Sequence, residues 1–173
     1  MNRTKRRRSG FSLVEVIAAA AIMATLTTAS FALVRTANDA WRRHRDDMLQ
    51  RGQAISTLQH VVRRVRQARE VAAISPNADM SGYLTLQMAD GTLAMWDHNG
   101  GTGEMLYGTS APTNLLAEGI TAANFVGLTA NGLSTTTDIS KIHAVRCTVE
   151  YTLSRPMGSV TETVSNLAWL RSW

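Results

Sequence analysis

The 173-residue chain has a single cysteine, Cys147, so no internal disulfide can form. Cys147 sits in the middle of an alternating apolar run and reads as an inert core thiol rather than a nucleophile. The four histidines, His44, His60, His98 and His143, are scattered with no pair at metal-ligand spacing, and no metal is expected. No glycine-rich loop opens a helix; Gly100 to Gly103 reads as a turn between strands. Asp90 and Asp97 lack the dense oxygen-ligand spacing of a calcium loop. Together these absences leave no constellation for catalysis and no expected cofactor. The chain does not read as an enzyme.

Charge is almost missing from one long stretch. Residues 11–34 contain Glu15 as their only charged side chain. As a helix rising about 1.5 Å per residue they reach roughly 36 Å, enough to cross a hydrocarbon core of about 30 Å. Ten of them are Phe, Leu, Ile or Val, which supply roughly −3 to −6 kcal/mol of insertion free energy. One ionised carboxylate costs about 2.5–3.5 kcal/mol at the centre of such a span and less near the interface. The span tolerates one Glu and has little margin for a second.

What precedes the span is basic. Arg3, Lys5, Arg6, Arg7 and Arg8 come before Gly10 and should hold the N-terminus in the cytoplasm. A secretory signal also starts basic, but its apolar run is shorter and small residues follow that run. Here the apolar run is long and Gly10 lies before it. Cleavage after Gly10 would remove the cations and keep the helix. The chain has 18 Lys and Arg against 13 Asp and Glu, and with the leader removed 13 of each sign remain. The basic character therefore belongs mostly to the leader and is no nucleic-acid signal. Within the remainder, residues 35–70 hold nine Arg against four acids, and residues 71–173 hold four cations against eight acids. A basic stalk and an acidic head follow.

Arg8-Ser9-Gly10-Phe11-Ser12-Leu13-Val14-Glu15, followed by the long apolar segment, resembles the prepilin cleavage and methylation motif of type IV pilins and type II secretion pseudopilins. The resemblance implies that prepilin peptidase, a membrane aspartic peptidase, cuts between Gly10 and Phe11 and methylates the Phe11 amine. It also implies storage in the cytoplasmic (inner) membrane as a single-pass protein, with the head in the periplasm or outside, and extraction into a filament of pilins or pseudopilins. The chemistry suits that role: cleavage leaves a cation on Phe11 beside an apolar environment that also holds Glu15, and each is costly alone. Glu15 then pairs either with the Phe11 amine of a neighbouring subunit, fixing axial register, or with its own Phe11 amine four positions back. The chain departs from the family in two places. Ala32 stands where many pilins carry a helix-kinking proline, and Cys147 cannot close the disulfide loop many pilins have. Both departures point away from a major adhesive pilin, and Glu15 points away from the tip pseudopilin type that lacks it.

Beyond the span the helix is expected to continue to about Val71. Ile55, Leu58, Val62, Val65, Ala68 and Ala72 recur at gaps of three and four, Met48 lies one heptad before Ile55, and Ser75-Pro76-Asn77 ends the pattern. Gly52 is a place where this helix could bend. The remainder reads as antiparallel strands. Leu84, Leu86 and Met88 alternate, Asp90-Gly91 is a hairpin signal, and Thr92 to Trp96 returns. Further strands are expected at Glu104 to Tyr107, briefly within Leu115 to Leu128, at Ile142 to Leu153 with His143, Val145, Cys147, Val149, Tyr151 and Leu153 facing one way, and at Val160 to Leu170. Asn131 to Ser140 is polar and reads as a mobile loop. The expected class is α+β: a long N-terminal helix, transmembrane then amphipathic, packed on an antiparallel sheet head in the pilin manner. The divisions are leader 1–10, span 11–34, stalk 35–72 and head 73–173.

Val65-Arg66-Gln67-Ala68, the hairpin after it and an apolar last strand followed by Arg171 look most like the J-type minor pseudopilins and similar minor pilins. Such relatives often carry an acid within the stretch that is here Arg63–Arg66, which is wholly free of acids. Arg63, Arg64, Arg66 and Arg69 form the strongest charge cluster outside the leader. It reads as a solvated helix face, as a contact with acidic heads of neighbouring subunits, or as a DNA-binding surface, the last being the least favoured. Trp41, between Arg35 and Arg42-Arg43, reads as an interfacial anchor. The expected function is that of a structural subunit, a minor pseudopilin or minor pilin. A DNA- or surface-binding minor pilin and an unpolymerised single-pass envelope protein are the alternatives.

Overall fold

The computed structural model describes residues 11–171, so Gly10, the leader cations and Trp173 lie outside the described residues. An unbroken α-helix, α1 (Leu13–Val65), is followed by β1 (Ala68–Ile74), β2 (Tyr83–Met88), β3 (Leu93–Asn99), β4 (Glu104–Gly108) and β5 (Asn114–Ala117). Then come β6 (Ile120–Leu128), a short 3₁₀ turn (Ile139–Lys141), β7 (Ala144–Arg155) and β8 (Gly158–Trp169). The chain forms two compact units, one up to His44 and one from Arg45 onward. The first is helix alone. The second is α+β, with the rest of α1 packed on two antiparallel sheets in the arrangement the pilin resemblance implies.

Strands β1 to β5 form one meander in chain order, and β6-β7-β8 form a second. One hydrophobic core joins them to the helix: Ala54, Leu58, Val61, Val62 and Val65 of α1 cluster with Leu84, Trp96 and Met105 of the first sheet and Phe125, Cys147, Val149 and Tyr151 of the second. The two sheets are joined at Ile120, whose N–H donates to Gly103 O at 3.0 Å and whose carbonyl lies 2.9 Å from His98 Nε2, and at a second seam. Gly82 N–H donates to Ala123 O at 2.8 Å, and Ala123 N–H donates to Met80 O at 2.8 Å. A Cβ at position 82 would lie 2.8 Å from Ser75 Oγ and 3.0 Å from Ala123 O, so any other residue would have to push this approach apart. The Asn124 amide, bonded to the carbonyls of Asn77 and Asp79, closes the same seam.

The helix ends six residues before the expected Val71, and residues 68–74 are a strand. The last turn tightens, with Arg66 N–H on Val62 O and Gln67 N–H on Arg64 O. The three-residue spacing of Ala68, Val71 and Ile74, all buried, is compatible with a helix. In the structure the same spacing is met by a strand with register shifts between Ala68 and Glu70 and between Val71 and Ala73. Each bulge adds a residue, so every third side chain turns inward. Pairing with β2 thus overrides a helical propensity that Ala, Arg and Glu would otherwise express.

The stripe on α1 is also displaced from the expected one. Met48 is 64% exposed and Ile55 37% exposed, whereas Ala54, Thr57 and Val61 are buried beside Leu58, Val62 and Val65. Alanine and threonine are weak signals of burial. His143 is exposed rather than aligned with Val145, because it precedes β7 and follows the 3₁₀ turn. Strand β6 is longer than the brief strand expected, and it is buried at every position except Thr121. Small residues, Ala122, Ala123 and Gly127, let it lie between neighbours on both faces, which removes the polar alternation that marks a half-exposed strand. The polar stretch 131–140 is organised by its own hydrogen bonds. Asn131 Oδ1 accepts from Leu133 N–H and Ser134 N–H, Thr136 N–H donates to Gly127 O, and Asp138 caps the 3₁₀ turn.

Leu58→Ala should lower unfolding free energy by about 2–5 kcal/mol, and Met48→Ala should change it by less than about 0.5 kcal/mol. Denaturant melts of the full chain in detergent would separate them, and equal losses would contradict the placement of the stripe. Gly52 lies inside the helix with nothing within 4 Å of a built Cβ. Gly52→Ala should therefore raise stability by about 0.4–1 kcal/mol in the same measurement.

Candidate functional site

The start of α1 is built by a reciprocal cap. Ser12 stands at the N-cap position: its carbonyl accepts from Val16 N–H at 3.2 Å and its Oγ accepts from Val14 N–H at 3.3 Å. The Glu15 carboxylate reaches back, and its Oε2 accepts from Ser12 N–H at 2.9 Å. Ser12-Leu13-Val14-Glu15 is thus a capping box, in which a carboxylate also meets the positive end of the helix dipole. The expected choice of partners for Glu15 did not include this one. Ser12 is the residue overlooked, although Ser followed by Glu three positions later, just before an apolar run, is legible as a helix start. Only one carboxylate oxygen is used, so Oε1 is free to accept from a further donor.

Behind the cap, every residue of α1 as far as Asp46 is exposed within the chain, including Phe11, Leu13, Val14, Ile17, Ile22, Leu26, Phe31, Leu33 and Val34. By length and composition this helix can cross a membrane. Its threonines as far as Thr36 do not oppose that. Thr25, Thr27, Thr28 and Thr36 hydroxyls donate to the carbonyls of Ile22, Met23, Ala24 and Ala32 at 2.7–2.9 Å. Each donor is satisfied inside the helix, as a hydrocarbon environment requires. Ala32, at the position where a proline is absent, keeps its carbonyl in such a bond. Trp41 is exposed.

The four arginines predicted as one cluster fall on different elements. Arg63 and Arg66 line a groove of about 460 Å³ with Gln59, Val62, Gln67 and Asn166. Arg64 is felt by His60 and by Asp90 on the β2–β3 turn. Arg69 lies on β1 beside a separate recess shared with Glu70, His143 and Trp169. Arg63 and Arg64 lie on α1, Arg66 in the turn between Val65 and Ala68, and Arg69 on β1.

Two polar sites escaped the sequence. His60 meets Trp96 and Tyr107 edge-on, with ring centroids 5.7 and 4.6 Å away, and its Nδ1 accepts the Trp96 indole N–H at 3.2 Å. Burial, then the charges of Arg64 and Arg63, hold the His60 imidazole below its usual value. Positions 60, 96 and 107 carry no sequence signal of contact. On the second sheet, Arg155 pairs with Asp47 of α1, and the buried Tyr151 hydroxyl donates to Glu162 at 2.7 Å. Burial, followed by that bond to a carboxylate, pushes the phenol up. Cys147 is buried, and burial pushes its thiol far above the range of a reactive thiolate. Among the described residues no group of three or more His, Cys, Asp or Glu side chains could hold a metal ion.

Residues 5–31 match the family described as the prokaryotic N-terminal methylation motif. The match supports a type IV pilin-like substrate of prepilin peptidase that assembles with other pilins, and it stops short of the head. No curated protein and no solved structure matches the chain.

The state of His60 has a measurable consequence. Unfolded, its imidazole takes a proton at the ordinary value near pH 6.5; folded, it takes one only at lower pH. The unfolded chain binds more protons as pH falls, so stability that is present above the unfolded value is lost on acidification. Denaturant midpoints should fall between about pH 7.5 and 5.5, and His60→Phe should flatten that slope. An unchanged slope in the variant would show that His60 contributes nothing to it.

Proposed function

We propose that this chain is a structural subunit of an envelope filament, a minor pseudopilin or minor pilin, processed after Gly10 and assembled through α1. One observation carries the reading: where a methylation motif matches residues 5–31, every residue of α1 from Leu13 to Asp46 is exposed among the described residues. Such a surface needs lipid or the helices of other subunits as its surroundings, and a pilin-like life cycle supplies both in turn.

In this reading the subunit waits in the cytoplasmic membrane, with its head on the far side. Prepilin peptidase removes the leader and methylates Phe11. The new amine is a cation at an apolar boundary. Glu15 answers it without giving up its structural work, since Oε2 holds the Ser12 cap while Oε1 accepts from the Phe11 amine of a neighbouring subunit. The departures at Ala32 and Cys147 favour a minor subunit over a major adhesive one, and the order of the head strands favours the J-type of secretion pseudopilin or a similar minor pilin. Arg63 and Arg66 contact an acidic part of another subunit. DNA binding is the less favoured reading, because with the leader removed 13 cations face 13 acids.

Gly10→Ala should leave the uncut chain in the membrane. The wild-type chain purified from its own cells should begin at N-methylated Phe11 by intact mass; a chain still beginning at Met1 would overturn the proposal. Glutamine preserves the capping box but not the charge. Glu15→Ala and Glu15→Gln should therefore both be processed normally and both be poorly incorporated into filaments. Full incorporation of the Gln form would mean that Glu15 acts as a helix cap and not as the partner of an amine.

A further inference from the structure

The longest free edge in the head is that of β8. Its register with β7 runs from Ala144↔Trp169 to Arg155↔Gly158 without a shift. Leu170 N–H donates to His143 O at 2.9 Å, and bonding alternates along an antiparallel ladder. Even-numbered residues of β8 therefore bond to β7, and Ser159, Thr161, Thr163, Ser165, Leu167 and Trp169 turn their backbone groups outward. Among the described residues only one of these groups is met: Leu167 N–H, by the Asn166 side chain at 2.8 Å.

Natural sheets blunt such edges with bulges, short strands, prolines, charges or cover. The other edges here follow that rule. β1 carries two register shifts, β5 is four residues long, and β6 is met on its open side by Ser81 and Thr135. β8 has none of these devices. It runs for 12 residues with no bulge and no proline, and its one charged residue is Glu162. An unblunted edge of this length is a template for another strand.

The groove holding Arg63 and Arg66 opens beside the same edge, with Asn166 of β8 as its near wall. Asn166 shares its face of the strand with Val164 and Ala168, which lie against the core. A strand added to the edge would continue that face and place alternate side chains at the groove mouth, before two exposed arginines.

We propose that the outer edge of β8 receives an extended segment of another protein, which adds as a further strand and sets carboxylates at alternate positions against Arg63 and Arg66. A second copy of this chain fits less well. The only acid it could offer from β8 is Glu162, which already accepts the Tyr151 hydroxyl. The proposal does not rest on the filament reading, since it concerns an edge and a groove within the head.

The test uses the full chain in detergent micelles and short fluorescent peptides alternating glutamate with valine. The glutamate peptide should bind, and its lysine counterpart should bind at least about tenfold more weakly. Arg63→Ala with Arg66→Ala should weaken the glutamate peptide about tenfold at low salt and remove its salt dependence. Thr163→Pro removes an outward N–H and no bond to β7, so it should abolish binding without lowering the melting temperature. A backbone N-methylated glutamate peptide, which cannot pair along a strand, should fail to bind the wild-type chain and needs no variant to fold. Absence of binding by the glutamate peptide, equal binding by the lysine peptide, or retained binding by the N-methylated one would each overturn the proposal. So would a disulfide-linked dimer through Ser165→Cys formed without peptide, which would make the occupant a second copy.

Discussion

Water cannot be the final environment of the first half of α1. A helix whose apolar side chains all point outward, with nothing of its own chain to cover them, is stable only against lipid or other apolar helices. The rest of the molecule is arranged around that requirement. At the helix start Ser12 and Glu15 satisfy the Ser12 and Val14 N–H groups, two of the donors that a helix end leaves open. From Ala54 and Leu58 onward the same helix is a buried strip against the sheets.

Glu15 has two demands placed on it, and its geometry meets both. A capping carboxylate stabilises the first turn through a backbone bond and the helix dipole, worth about 0.5–2 kcal/mol in water. A carboxylate facing an amine across an apolar interface is worth more, because either charge alone would be expensive there. The cap uses one oxygen, Oε2, and the proposed pairing with an amine would use the other. The resemblance identifies the residue, and the structure adds its bond to the Ser12 N–H.

How much was legible follows from what each signal depends on. Alternation along β7 identified Val145, Cys147, Val149, Tyr151 and Leu153 as one buried row, since one face of that strand meets the core and the other meets solvent. The Asp90-Gly91 turn and the return through Trp96 were equally readable, because a tight turn depends on local backbone geometry. Position 68 onward was misread for the opposite reason. Two bulges give a strand the period of a helix, and bulges are set by the partner strand, which a local pattern does not contain. β6 lost its alternation to burial on both faces. The Ser12 cap was written plainly in four residues, whereas His60, Trp96 and Tyr107 meet only because a helix and two strands bring them together.

The threonines of the apolar helix carry one more consequence. Thr25, Thr27, Thr28 and Thr36 spend their hydroxyl protons on carbonyls of their own helix. A side chain that seeks nothing from its surroundings does not register a change of them. For these four hydroxyls, exchanging acyl chains for a sheath of protein would change dispersion contacts alone, with nothing of theirs to strip or rehouse.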